Sequence, residues 1–429
     1  MSDNNASLEK TNLFKPITLG ALELQNRVVY APTTRLRNTK DNIATDIMID
    51  YYDKRSQTPG SYIIFESALI GPEGGLVPYK PGVFTDRQCE ALKKVTDVIH
   101  QNGCYVGVQV FAPGRTGSIP LHKELGLPLV APTKGLFHNK QTETAFNESA
   151  GGSIEFVELT EAQIIQLQDK FVEACSNAIT KAGFDIVELH ASSGFLIEQF
   201  LSPLTNHRTD KYGGSVENRC RFLFELIDKL IYHKDVGPKR LSVRISPWSY
   251  HNMTYPEDMN PLDHPAVEYG KEIALHMEYL KYSGLELAYL SVIEPRVSGN
   301  SDRTLNVGES NVPIIKLWSG KLIRSGGYIT NYRNKVDTVL AGDGEYAALK
   351  NDVNADDRTL IGILRAVTSN PDFIERLKSG KVLDNYQRKY FYTHQVEGYL
   401  TFDNYKKDGS VNTIDLSEDI LNSTGVPLA

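Results

Sequence analysis

The chain has 429 residues, of which 41% are hydrophobic and 23% charged, a balance typical of a soluble globular protein with a large core. Its formal net charge is −7 and its pI about 5.9, so a nucleic-acid-binding role has no electrostatic support. The four cysteines are widely spaced and form no metal-ligand pattern, which argues against a disulfide framework or a metal site and fits a reducing compartment.

The two ends of the chain and its hydropathy predict a cytoplasmic protein without membrane association. The N-terminal segment MSDNNASLEKTNLF is polar and lacks the apolar run of a signal peptide. No stretch approaches the roughly 18 apolar residues that are needed to span a bilayer. The C-terminal segment carries no prenylation or peroxisomal signal.

Short apolar and β-branched runs recur along the chain, and a helical pattern follows each of them. They are residues 26–32, 61–67, 104–110, 185–191, 241–247, 285–293, 321–327 and 358–365. Near-continuous apolar strands with intervening helices indicate a parallel sheet covered by helices. The helix before the fourth strand is the clearest, because Thr160 and Gln163 have the spacing of a capping box. Eight such repeats predict a (β/α)8 TIM barrel.

Polar residues stand at the ends of these strands, where the active site of a TIM barrel lies. They are Thr34, Ser67, Gln109, His190, Arg244, Gly326, Gly327 and Arg365. Any one of them alone is more readily explained as a structural residue. Polar groups are costly to bury without partners, however, so together they predict a polar pocket at the mouth of the barrel.

Two long loops extend a minimal barrel at the same face. Residues 113–158 follow the third strand, and residues 248–268, which include His251, follow the fifth. Long loops at this face usually act as lids or specificity elements. The polar stretch 138–152 is equally compatible with a disordered surface excursion.

The polar residues of the fifth and third strands suggest a planar ligand. By strand alternation Arg244 points into the barrel, where a guanidinium needs an anionic or acceptor-rich partner. That partner is Glu188 on the neighbouring strand, the acceptor edge of a planar cofactor, or both. Gln109 can donate and accept at once, as the edge of a pyrimidine-like ring requires.

The ends of the seventh and eighth strands predict a phosphate site. In TIM barrels the loops after these two strands frequently bind phosphate together with a helix N-terminus. Gly326 and Gly327 allow backbone N–H groups to approach a phosphate without a Cβ in the way, and Arg365 supplies a positive charge. A purely structural turn is the alternative.

The runs APTTRLRN, HRTDKYGGSVENR, VRISP, IRSGG and SNPDF, in this order, resemble the Old Yellow Enzyme family of FMN-dependent ene-reductases, particularly its fungal branch. The resemblance implies one FMN-binding TIM-barrel domain over residues 13–405, with 1–12 as a flexible N-terminus, 113–158 as a lid or insertion and 406–429 as a C-terminal tail. It also implies non-covalent FMN, NADPH or NADH as hydride donor, and a monomer or homodimer. The implied substrates are small molecules, enones above all, and phenolic or steroid-like ligands are further candidates.

The resemblance also assigns roles to single positions. The cofactor-binding residues would be Pro32, Thr34, Ser67, Gln109, Arg244, Gly326, Gly327, Leu364 and Arg365. His190 and Ser193 match the pair that binds the substrate's carbonyl oxygen, and Phe195 matches the tyrosine that commonly delivers a proton. The substrate-pocket residues would be Phe111, His251 and Tyr392.

Four of these positions depart from the family pattern. Ser193 is shorter than the Asn or His that is usual there, and Phe195 has no proton to donate. Leu364 stands where the family usually has glycine, and Ser67 where Gly or Ala is frequent. These departures predict a preserved cofactor site with an altered catalytic pair, and hence slow reduction or a shift toward isomerisation or oxidation.

Two other classes of protein stay open at this point. One is a flavin-free TIM-barrel lyase or isomerase, with His190 as acid or base and Arg244 and Arg365 holding a phosphorylated substrate. The other is a flavin- or ligand-binding protein whose catalysis is degraded. The sequence leaves open which alkene is the substrate and which nicotinamide donor is preferred.

Overall fold

Eight parallel strands close into a barrel in the computed structural model, which describes residues 7–134, 156–248, 251–252, 260–299, 301–329, 346–405 and 414–429. The strands are β1 Val28–Tyr30, β2 Tyr62–Leu69, β3 Tyr105–Phe111, β4 Ile186–Ala191, β5 Leu241–Ile245, β6 Tyr289–Ile293, β7 Leu322–Ser325 and β8 Thr359–Ile363. Each strand pairs with its neighbours in the chain, and β8 pairs with β1 to close the ring. The predicted TIM barrel is therefore confirmed, and each strand falls within or overlaps its predicted run.

Helices surround the barrel and separate its strands. They are α1 Asp46–Arg55, α2 Asp86–Gln101, α3 Ile119–Leu125, α4 Glu161–Thr180, α5 Leu196–Leu201, α6 Val216–Ile231, α7 Pro265–Tyr282, α8 Val312–Ile315, α9 Ala347–Asn354, α10 Phe373–Ser379 and α11 Glu418–Asn422. The capping box predicted for α4 is confirmed, since the backbone N–H of Gln163 donates to the Thr160 hydroxyl and the Thr160 N–H donates back to the Gln163 side chain. Among the described residues no helix is long and apolar enough to cross a membrane.

The lower, N-terminal half of the barrel interior is filled with apolar and aromatic side chains. They are Val29, Tyr62, Ile64, Ile186, Tyr289, Ile323 and Leu360. The antiparallel strands Ile17–Leu19 and Leu22–Leu24 form a hairpin whose leucines pack against this cluster and close the barrel from below. Because the lower half is packed with side chains, the polar interior positions that follow on the same strands gather at the C-terminal mouth.

The long loop after β3 contains its own secondary structure. After β3, residues 113–158 contain α3 and a parallel pair of short strands, Leu129–Ala131 and Phe156–Glu158. The stretch 138–152 lies outside the described residues, as do 249–250 and 253–259 of the loop after β5. At the end of the chain, residues 414–429 return to the barrel, where the Leu428 N–H donates to the Ala44 carbonyl.

Candidate active site

A cavity opens at the C-terminal mouth of the barrel and brings together most of the residues that the sequence singles out. Thirteen of them line it: Pro32, Thr34, Ser67, Gln109, His190, Ser193, Phe195, Arg244, His251, Gly326, Leu364, Arg365 and Tyr392. The cavity encloses about 990 Å³ of empty space, solvent at its mouth included. Concave sites in which polar groups converge at the C-terminal face of a TIM barrel are the usual places for a ligand.

The floor of the cavity is a charged and hydrogen-bonded group of residues from β3, β4 and β5. The Arg244 guanidinium donates to Ser291 Oγ and Ser325 Oγ, both at 3.0 Å, from the two strands that follow it. Gln109 Nε2 donates to Glu188 Oε1 at 2.7 Å. Burial raises the pKa of Glu188, and the positive charge of Arg244 opposes that rise. Arg244 therefore interacts electrostatically with Glu188, while its hydrogen bonds are donated to the two serines.

The two glycines after β7 stand where any side chain would collide with neighbouring residues. Gly326 has φ +106°, and a Cβ there would lie 2.9 Å from Val297 Cγ2 and 3.3 Å from the Glu294 backbone nitrogen. Gly327 has φ +73°, and its Cβ would lie 2.8 Å from Arg296 Cβ. Gly327 lines a small adjoining hollow that it shares with Gly326. Only glycine adopts these conformations freely, and the bare backbone can approach an anionic group closely.

Arg365 stands beside the glycines, where β8 ends. Its guanidinium contacts the Asp302 carboxylate and donates to the Ser301 carbonyl at 3.1 Å, so the side chain is held at the rim of the hollow. Leu364 immediately precedes it and starts the short helical turn that carries the arginine. Backbone N–H groups without side chains beside a fixed guanidinium are the donor set that a phosphate group requires.

His190 ends β4 and faces the cavity with a defined side-chain orientation. Its Nδ1 lies 2.7 Å from Ser192 Oγ. When the Ser192 hydroxyl donates to Nδ1, the ring hydrogen sits on Nε2 and can be donated into the cavity. Burial, with the charges of Arg244 and Lys80, holds the pKa of His190 well below its usual value. His190 is therefore neutral at physiological pH and able to act as a single hydrogen-bond donor.

Ser193 has a backbone conformation that is unusual for serine. Its φ is +60°, in the left-handed region. Its N–H donates to Ser246 Oγ at 2.8 Å, and its carbonyl accepts from Asn252 Nδ2 at 3.0 Å. Among non-glycine residues, asparagine is strongly enriched in this region. The turn therefore suits the asparagine that the family often carries there better than it suits serine.

Phe195 and Phe111 form an aromatic wall beside the histidine. The Phe195 ring meets the His190 ring edge to face, with 4.7 Å between centroids, and meets the Phe111 ring at 4.9 Å. Phe111 is fully buried and contacts Phe195, and it is not one of the described residues that line the cavity. A tyrosine at position 195 would extend the same ring by one hydroxyl group.

The sequence reasoning missed several residues of the site, among them Ser192 and Lys80. Ser192 escaped notice because a serine in a strand-end turn has no pattern of its own. Lys80 lines the cavity from the loop after β2 and donates to Ser67 Oγ at 2.6 Å. In the sequence, Lys80 is marked only by its position between an aromatic residue and Pro81. That pattern is too weak to predict a site residue.

The structure thus defines a TIM barrel with a polar cavity, a buried arginine and a glycine-lined hollow beside Arg365 at its C-terminal mouth. Residues 12–384 match the model of the NADH:flavin oxidoreductase / NADH oxidase family. The chain is 38% identical over 404 residues, 93% of either chain, to a probable NADPH dehydrogenase of Candida albicans. It is 32% identical over 408 residues to enoate reductase 1 of Kluyveromyces lactis, covering 93% of this chain and 96% of that one.

Among solved structures, the chain is similar to the Old Yellow Enzyme from a Pichia species. The TM-score is 0.85 at 40% sequence identity, and the match covers 98% of this chain and 100% of the other. The chain therefore belongs to the NADH:flavin oxidoreductase family and, within it, to the Old Yellow Enzymes. It is an oxidoreductase that uses FMN as cofactor and NAD(P)H as hydride donor.

The cavity fits FMN. The backbone of Gly326 and Gly327, which carries no side chain, lines one hollow with Arg365, and Arg365 adds the positive charge that a phosphate needs. When bound, FMN accepts a hydride from the nicotinamide and passes it to a second substrate. Within the described ranges no group of three or more His, Cys, Asp or Glu side chains could hold a metal ion.

Proposed function

We propose that this enzyme reduces electron-poor alkenes, above all α,β-unsaturated carbonyl compounds, at the cavity that His190 and Ser193 line. The observation that carries the proposal is the presence of an anion hollow, a buried arginine and a neutral histidine donor in one cavity. Those three features are what a flavin with a carbonyl substrate above it needs.

The residues for the cofactor divide into two sets. Gly326, Gly327 and Arg365 hold the phosphate, with the N–H of Leu364 close by. The residues around the ring system are Pro32, Thr34, Ser67, Gln109 and Arg244. Arg244 places its charge where the ring gains electron density on reduction, while Gln109 offers a donor and an acceptor to the polar edge.

The residues for the substrate lie on the other side of the cavity. His190 Nε2 donates to the carbonyl oxygen, where negative charge develops as the hydride arrives at the β-carbon. The Ser193 hydroxyl is the second, weaker donor, since it is shorter than an amide. Phe111 backs the aromatic wall, and His251 and Tyr392 border the substrate's entry. Enones are the expected substrates, and phenolic or steroid-like ligands with an oxygen near His190 are expected to bind.

Proton delivery distinguishes this enzyme from relatives with a tyrosine at the same position. Phe195 cannot donate the proton that the α-carbon must gain. The proton then comes from solvent or from another group in the open cavity. A slow proton transfer gives the hydride time to return to the cofactor, which restores an alkene and so favours isomerisation over net reduction.

We expect Phe195→Tyr to accelerate enone reduction. A positioned general acid contributes about 10²–10⁴-fold in rate, so a gain of at least about tenfold is expected. The measurement is reoxidation of the reduced enzyme by cyclohexenone in a rapid-mixing instrument, with cyclohexanone quantified as product. Phe391→Tyr adds the same hydroxyl elsewhere on the cavity wall and should give no gain. An unchanged rate in Phe195→Tyr contradicts limiting proton delivery, and absence of cyclohexanone from every variant contradicts alkene reduction.

A further inference from the structure

Lys80 is a buried lysine that points into the cavity from the loop after β2. The residue is 7% exposed, and its Nζ lies 4.6 Å from the centroid of the Phe111 ring. Its side chain lines the same cavity as His190 and Arg244. A buried ammonium group is costly unless it is hydrogen-bonded or paired, so its position needs an explanation.

The backbone around Lys80 is held in a strained form that directs the side chain inward. Tyr79 has φ +63°, and Asn42, which donates to the Lys80 carbonyl at 2.9 Å, has φ +69°. Asn38 Nδ2 donates to the Tyr79 carbonyl at 3.1 Å, and the Tyr79 ring stacks on His394 with 3.8 Å between centroids. Such conformations cost about 1–3 kcal/mol each and persist where the surrounding structure enforces them, often at functional sites.

The hydrogen bonds of Lys80 fix which atoms of two hydroxyl groups act as acceptors and which remain free to donate. Its Nζ donates to Thr34 Oγ1 at 2.8 Å and to Ser67 Oγ at 2.6 Å. An ammonium group only donates, so both hydroxyl oxygens are acceptors here and both hydroxyl hydrogens are left for another partner. Within the part of the chain that the structure describes, neither hydroxyl donates to a protein acceptor. Thr34, Ser67 and Lys80 therefore form a cluster of donors facing the cavity.

The charge of this cluster depends on a few neighbours. Glu66 faces Lys80 from β2, and its Oε2 accepts from the Arg35 N–H at 2.8 Å. His190 faces it from β4 and is neutral. Burial lowers the pKa of Lys80 to about 8, and the negative charge of Glu66 opposes that fall. The lysine thus carries its charge at neutral pH and loses it in a mildly alkaline range.

We propose that Lys80, acting through the hydroxyls of Thr34 and Ser67, is a positioning residue that stabilises the reduced form of bound FMN and raises its reduction potential. The inference rests on the proposed placement of FMN in this cavity. Reduction by NAD(P)H transfers two electrons and one proton as a hydride, and the reduced cofactor gains electron density. Lys80 keeps its own proton, and no covalent bond to it forms or breaks. Donors that bind the reduced form more strongly than the oxidised form shift the equilibrium toward it.

The test is the midpoint potential of bound FMN, measured by spectroelectrochemistry in the absence of any alkene. In Lys80→Met we expect the preference for the reduced form to fall about tenfold, which is about 30 mV for a two-electron couple. Lys80→Arg keeps the charge and should retain most of the potential. Lys93→Met removes an exposed lysine that pairs with Asp97 on α2, and it should leave the potential unchanged.

Combined variants test whether Lys80 changes the reduction potential through the hydroxyl groups of Thr34 and Ser67. If Lys80 acts through the hydroxyls, Lys80→Met should shift the potential less in a Thr34→Val/Ser67→Ala background than in the native enzyme. The difference between native and Lys80→Met potentials should also shrink as pH rises through about 8, because the native lysine then loses its charge. Should Lys80→Met fail to fold, Lys80→Gln carries the same expectations.

Equal potentials in the native enzyme and in Lys80→Met or Lys80→Gln would overturn the inference. A full shift in the Thr34→Val/Ser67→Ala background would overturn the route through the hydroxyls. Either result with FMN still bound leaves the proposed function intact. A native protein that takes up no FMN would instead contradict the proposed site itself.

Discussion

At the scale of single residues, two departures from the family pattern lie on the proposed substrate side of the cavity. Ser193 occupies a left-handed turn with φ +60°, and Phe195, the N-cap residue of α5, places its ring against His190. The histidine donor and its orienting Ser192 are in place beside them. The proposed substrate side of the cavity therefore keeps its principal donor, while the second donor is short and the proton donor is missing.

We expect Ser193→Asn to raise both stability and activity. Asparagine tolerates the left-handed conformation better, so unfolding should cost up to about 1 kcal/mol more, a fraction of the strain typical of such positions. Its amide also reaches further toward a substrate oxygen, and since one such donor is worth about 10²–10³ in kcat, a gain of at least about tenfold is expected. Urea unfolding and steady-state reduction of cyclohexenone measure the two effects.

Ser193→Ala is the matched control for that experiment. It keeps the strained backbone and removes the hydroxyl, so its rate should fall below that of the native enzyme. A faster Ser193→Ala, or a Ser193→Asn that is stabilised without any gain in rate, would contradict the role assigned to this position.

At the scale of elements, α5 fixes the turn that carries Ser193 and Gly194. Glu198 on this helix accepts from the Gly194 N–H at 2.6 Å and from the Tyr269 hydroxyl of α7 at 2.8 Å. Burial raises the pKa of Glu198 to about 7. The loop after β4, the first turn of α5 and the second turn of α7 are thus joined through one carboxyl group, which is protonated in the acidic range.

The raised pKa of Glu198 gives a predicted pH dependence of stability. Between about pH 4.5 and pH 7 the folded state binds a proton that the unfolded state has released, so this group's contribution to stability declines as pH rises. We expect the free energy of unfolding of Glu198→Gln, relative to native, to rise by up to about 3 kcal/mol over that window and to stay level above it.

Urea unfolding at pH 5, 6, 7 and 8 measures that difference. Glu90→Gln, an exposed glutamate on α2, is the control and should show no comparable slope. A Glu198→Gln variant whose stability parallels that of the native enzyme at all four pH values would contradict the role of this carboxyl.

At the scale of the whole molecule, the barrel was predictable because its eight strands are apolar runs of ordinary length and its polar residues fall at their C-terminal ends. Strand alternation also placed Arg244 inside the barrel. It did not reveal that the guanidinium donates to Ser291 and Ser325, because those contacts depend on the register of β5, β6 and β7.

The loop residues of the site were harder to predict than its strand residues. Lys80 reaches the cavity because Tyr79 adopts a positive φ and because Asn42, far away in the chain, holds the loop. Neither feature has a periodicity in the sequence. Residues such as these, set by tertiary contacts alone, are the part of the candidate site that sequence reasoning misses.

We propose that one cavity supports hydride transfer from NADPH through FMN to an enone. The most direct measurement is the visible spectrum of the purified enzyme under anaerobic conditions, first with NADPH and then with cyclohexenone. We predict a flavin spectrum that bleaches with NADPH and returns with the enone, slowly in the native enzyme and faster in Phe195→Tyr. A flavin that bleaches but is not reoxidised by the enone in either protein would contradict the proposed reaction.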